Sequence, residues 1–257
     1  MRLLNRAAFL LFCPLLACTG RQYIPPEPPD LAGQYAYFPL DIGRYTDYWV
    51  DSIVYDYAAG GTLRDSSRTL AREQIVDIAR DDTGQLYHIV ERLERPNDTA
   101  AWQLRRVFAA ARSTTQAIRT EDNLRFLKLV FPFDRRTAWD GNQWIDPYLE
   151  IEVAGERMRP FTGWNYEVDS LDIPAQIGAF TFDSVLVVTE VNETNAIERR
   201  FSRAKYAKHV GLVWHEQWIL DSQYCNQNPP PPDCLTKPWP EKAEKGFVVR
   251  QVVVGFR

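Results

Sequence analysis

Beyond residue 44, short runs of β-branched and aromatic residues are cut repeatedly by turn-forming pairs, and this punctuation limits the possible folds more than anything else in the chain. In residues 44–56, Tyr45, Trp49, Ile53 and Tyr55 alternate with Tyr48, Val50 and Val54, so the strand is apolar on both faces and needs cover on both. Gly60-Gly61 ends that run, and the polar, arginine-containing stretch 62–72 is expected to be a loop or an exposed edge. Residues 73–80 and 86–95 are predicted strands joined by the hairpin signal Asp81-Asp82-Thr83-Gly84, with Arg95-Pro96-Asn97-Asp98 as the next turn. Residues 102–112 are ambiguous: alanine, leucine and arginine favour helix, while neighbouring strands and the β-prone Ser113-Thr114-Thr115 favour strand, the reading adopted.

Further strands are predicted at 123–133, 161–168, 181–191, 197–206, 211–220 and 247–256, with turns at Asp140-Gly141 and Asn192-Glu193-Thr194-Asn195. Together they predict a mainly β fold with few short helices: a single curved antiparallel sheet, shaped as a half-barrel or barrel. The expected division is a signal peptide at 1–17, a proline-rich linker at 18–34 and one β domain at 35–257.

The N-terminus supplies the second constraint. Arg2 and Arg6 precede an apolar run from Ala7 to Ala17, which is the pattern of a secretory signal. The run falls short of the about 20 residues needed to cross a bilayer. Leu15-Leu16-Ala17-Cys18 resembles a bacterial lipobox, whereas Phe12 disqualifies Cys13. The resemblance implies cleavage before Cys18, a diacylglycerol thioether on its sulfur and a palmitate-type chain on its amine. At about 0.8 kcal/mol per buried methylene, such an anchor is effectively permanent. Thr19 in the next position implies the outer membrane, with the face open. Pro25-Pro26-Glu27-Pro28-Pro29 then reads as an extended spacer.

Processing would leave 28 basic against 34 acidic residues, a net charge of −6, and no basic patch stands out. Nucleic acid is therefore not an expected partner, and the membrane is engaged through the lipid on Cys18. Cys225 and Cys234 bracket an asparagine- and proline-rich loop in an exported chain and are expected to form a disulfide, stabilising by about 2.5–3 kcal/mol. The rival reading adds His209 or His215 to form a metal site, but ligand spacing is absent, so neither metal nor cofactor is expected.

Three phrases, Phe38-Pro39-Leu40 with Gly43, Leu129-Val130-Phe131-Pro132 before Trp139, and Tyr206-Ala207-Lys208-His209-Val210-Gly211-Leu212-Val213, resemble uncharacterised envelope lipoproteins of Bacteroidetes-type bacteria. The last is also similar to relatives of lipoprotein carriers, which implies a curved sheet enclosing acyl chains.

Catalytic motifs fail one by one. There is no nucleophile elbow and no phosphate-binding glycine loop. His215-Glu216 is not followed by a second histidine at Ile219. Ser202-Arg203-Ala204-Lys205 fits a Ser-x-x-Lys pattern without its companion motifs. His88 is expected to pack within a strand, and the two glycosylation-like sequons at Asn97 and Asn192 are expected to be turns. Trp214 and Trp218 are expected in the core. The aromatic cluster Trp139, Trp144, Trp164 and Tyr166 could stack on sugars, although core packing is the default for such rings. The leading expectation is a non-enzymatic, membrane-anchored lipoprotein binding an apolar ligand or an envelope protein. A glycan-binding surface lipoprotein and a hydrolase acting through a carboxylate pair are the alternatives.

Overall fold

The computed structural model describes residues 31–58 and 61–257. The lipobox with Cys18, most of the linker and Gly60 lie outside the described residues. The fold is a 12-stranded antiparallel sheet curled into a nearly closed barrel, with two short helices, as the punctuation predicts.

The strands run β1 (Tyr45–Ala58), β2 (Gly61–Arg80), β3 (Leu86–Arg95), β4 (Gln103–Arg112), β5 (Gln116–Glu121) and β6 (Leu124–Val130) in one half. The other half comprises β7 (Ala138–Trp139), β10 (Tyr166–Ile177), β11 (Phe180–Thr194), β12 (Glu198–Ala207), β13 (Gly211–Asp221) and β14 (Lys245–Phe256). A separate hairpin, β8 (Ile151–Val153) with β9 (Glu156–Met158), completes the set. Sheet order is β6-β5-β4-β3-β2-β1-β14-β13-β12-β11-β10-β7, so each half is a meander and the first and last long strands join them. The curl brings the edges together: the Leu127 N–H donates to the Gly141 carbonyl at 2.8 Å, and Trp139 Nε1 donates to the Leu127 carbonyl at 2.9 Å. Only glycine suits position 141, because a β-carbon there would collide with the Tyr166 ring.

Local chemistry explains most boundaries. Asp81 Oδ1 accepts from the backbone of Thr83 and Gln85, holding the predicted hairpin turn. Residues 102–112 are strand almost throughout. Ser113-Thr114-Thr115 does not continue it, because Ser113 Oγ accepts from the backbone of Thr115 and Gln116 and turns the chain into β5. The hairpin to β6 turns on Asp122 and Asn123, both at positive φ, a two-residue turn that the single strand predicted at 123–133 overlooks.

The stretch 62–72 is strand rather than loop. Its distal part pairs only with β1, since β3 pairing begins at Leu70, and it exposes Arg64, Asp65 and Arg68, charges that discourage edge-to-edge pairing. The strand predicted at 161–168 begins only at Tyr166 and runs on to Ile177 through bulges that accommodate Pro174. β11 continues through residues 192–194 of the turn expected at 192–195, and the chain reverses only from Asn195, whose Oδ1 accepts from the backbone of Ile197 and Glu198.

The largest apolar core joins β6 and the β10–β12 side, including Leu127, Leu129, Tyr166, Val188 and Tyr206. Helix α1 (Leu31–Tyr35) packs Leu31 and Tyr35 against it, and Tyr37 behind the helix is fully buried.

Candidate functional site

The concave face encloses a cavity of about 860 Å³. Strand periodicity builds it: every second side chain points in, as with Val90, Arg92 and Glu94 on β3 and Phe247, Val249 and Gln251 on β14. Part of the wall is apolar, supplied by Ile75, Val90 and Phe108 on one side and Phe126, Phe161 and Phe247 on another. The rest is built from two buried carboxylate clusters.

Glu73 of β2 anchors the first. It stands opposite Arg92 of β3 in the strand register and accepts its Nη1 at 2.8 Å. Arg119 of β5 crosses above the Phe108 ring at 3.8 Å and grips the same carboxylate with two hydrogen bonds of 2.8 Å. Both arginines have a second carboxylate, Glu94 for Arg92 and Glu121 for Arg119, and Arg92 also donates to Gln251 Oε1. Burial alone would push the Glu73 carboxyl up, but the Arg119 and Arg92 charges outweigh it and hold it down at about 2.

Glu190 of β11 anchors the second and is 1% exposed. Lys128 of β6 donates to Oε1 at 2.8 Å, lying between the rings of Phe126 and Tyr166. Oε2 accepts the Ser202 hydroxyl at 2.6 Å and lies 3.3 Å from His215 Nε2. Against the upward push of burial, the Lys128 charge and the hydrogen bond with His215 hold this carboxyl well below the usual range. Tyr206 lies near both clusters, its phenol pushed well up by burial and by Glu190.

A serine, a histidine and a glutamate in contact invite comparison with a hydrolytic triad. In a triad the carboxylate binds Nδ1 and leaves Nε2 for the nucleophile. Here Nε2 faces both partners, and the Ser202 hydroxyl is fully buried with its proton directed at the carboxylate. The Ser-x-x-Lys pattern dissolves as well, because positions three apart on a strand face opposite ways and Lys205 lies over the Trp214 ring, 4.8 Å from its centroid.

The fold keeps three of the four predicted aromatics together, with Tyr166 between Trp139 and Trp164 (5.9 Å between the Trp164 and Tyr166 centroids), and sets Trp144 apart. Trp139 and Tyr166 are buried with centroids 5.7 Å apart, Trp164 is half-buried on the cavity wall, and Trp144 is 43% exposed under the Arg125 guanidinium. Trp214 and Trp218 are half-buried. His88 is half-buried on β3, and burial draws its pKa down. Cys225 and Cys234 are neighbouring free thiols, and their hydrogen bond raises the Cys234 pKa. Among the described residues, no three His, Cys, Asp or Glu side chains are placed to hold a metal ion.

The chain matches no protein-family model and no curated protein. Two solved structures are similar to it. One is a candidate lipoprotein from Parabacteroides distasonis, 12% identical with a TM-score of 0.36, the alignment covering 86% of this chain and 98% of the other. The second is a candidate exported protein with a YmcC-like fold from Bacteroides fragilis, 10% identical with a TM-score of 0.35 over the same shares.

Proposed function

We propose that the chain is a lipid-anchored protein of the cell envelope that works without catalysis, holding a ligand with an apolar portion inside its barrel. The observation that carries this reading is the cavity of about 860 Å³, roomy enough for a small molecule and walled partly by phenylalanine and aliphatic side chains. Native mass spectrometry of the full chain released from membranes is expected to show a bound species beyond its covalent acyl groups. Val249→Trp, which pushes an indole into the cavity, is expected to weaken its retention. Spectra free of any adduct in both proteins would overturn the reading.

The anchor is Cys18, and the outer membrane is the proposed location on the strength of Thr19. Cys18→Ser is expected to move the protein into the soluble fraction without loss of fold. The cysteines Cys225 and Cys234, already side by side, are proposed to be oxidised after export. A mass lower by two hydrogens and resistance to alkylation before reduction would show this.

A further inference from the structure

His215 stands at the polar end of the cavity. The Ser202 hydroxyl donates to Glu190 Oε2, so its oxygen can only accept from His215 Nε2, which is 3.0 Å away. Ionised Glu190, 3.3 Å from the same nitrogen, can only accept as well. Nε2 must therefore carry a hydrogen, and in the neutral ring Nδ1 is left as a lone-pair acceptor. His215 lines the cavity, its side chain is 22% exposed, and Nδ1 has no hydrogen-bond partner among the described residues.

The surrounding charge points the same way. The five cationic side chains on the wall are each paired: Arg92 and Arg119 with Glu73, Lys128 with Glu190, Arg106 with Asp122, and Arg44 with Asp41. Seven carboxylates line the same wall; Glu150 is paired with Arg159, and Glu152 adds a further negative charge. A phosphate or carboxylate head entering here meets a net negative wall with no unpaired cation to receive it. A hydroxyl head meets a waiting acceptor.

Building on the ligand-binding reading above, we infer that the cavity takes amphipathic molecules with an uncharged, hydroxyl-bearing head that donates to His215 Nδ1, and that it discriminates against anionic heads on the same tail. The test uses the full chain in lipid nanodiscs with photoreactive dodecanol and photoreactive dodecyl phosphate, mapping labelled cavity peptides. An unmet acceptor facing an unpaired anion predicts labelling by the alcohol at least about tenfold above the phosphate. In His215→Phe the alcohol should lose most of that advantage, and in His215→Gln, whose amide oxygen can still accept, it should keep part of it. Circular dichroism confirms that each variant is folded. Equal or stronger labelling by the phosphate overturns the selectivity while leaving the ligand cavity standing. Full preference in folded His215→Phe removes His215 from the site. Absence of cavity labelling by either probe sinks the ligand reading itself.

Discussion

Glu73 and Glu190 are both buried carboxylates on one concave wall, yet they are satisfied in opposite ways. Glu73 is enclosed by two guanidiniums, each backed by a second carboxylate, so all its main partners carry permanent charge. Glu190 has a single ammonium, and a hydroxyl and an imidazole complete its shell. The first arrangement locks β2, β3 and β5 in place and leaves little to offer a ligand. The second is incomplete by design of its partners, since His215 spends one nitrogen on the cluster and turns the other to the cavity. One buried acid ties strands together, and the other orients the imidazole proposed to meet a ligand.

The sharpest way to break this contrast is Glu73→Gln. It strands two largely buried guanidiniums and is expected to cost about 3–5 kcal/mol in denaturant unfolding. A loss below about 1 kcal/mol would show that Glu94 and Glu121 suffice as counter-charges.

Acid should expose the same difference. Both carboxyls sit below the unfolded glutamate value of about 4.3, so their stabilisation is complete above that pH and is lost as pH falls. For Glu73 the loss is complete only near its folded value of about 2 and amounts to about 3 kcal/mol. Unfolding free energy followed from pH 5 to pH 2 should fall in the natural chain and fall less in Glu73→Gln; parallel curves would contradict the assignment.

Glu190→Gln should be milder, about 2 kcal/mol, because the amide still accepts from Ser202 and Lys128 is flexible enough to turn toward the cavity. Smallest is Ser202→Ala, about 1 kcal/mol for one hydrogen bond. In the double variant the two losses should not add, since both act on one network, and strict additivity would mean that the cluster is not a unit.

Much of the fold is visible in the chain, because strands and tight turns are set by neighbours. The hairpin at Asp81-Asp82-Thr83-Gly84 follows from an aspartate accepting from the next few amides, and β3, Leu86–Arg95, coincides with its prediction. The errors have local causes too. Ser113-Thr114-Thr115 is β-prone in composition but capped by its own serine, and the polar distal part of β2 reads equally as a loop or an exposed edge until β1 is seen to pair with it. The site was hardly visible at all. Lys128 and Glu190 are 62 residues apart, Glu73 and Arg119 are 46 apart, and no motif links them. Ser202 and His215 each carry a sequence signal, but toward other companions, Lys205 for the serine and a second histidine for the imidazole.

By itself the sequence determined what depends on a few adjacent residues: a lipobox-like pattern at Leu15-Leu16-Ala17-Cys18, a succession of antiparallel strands, and the positions of most turns. Only the tertiary structure decided which inward-facing charges meet. Alternation along a strand says that Glu73, Arg119, Glu190 and His215 can share a face with their neighbours, but the distance between them is set by register and by the curl of the whole sheet. That information is spread over twelve strands and is carried by no one of them.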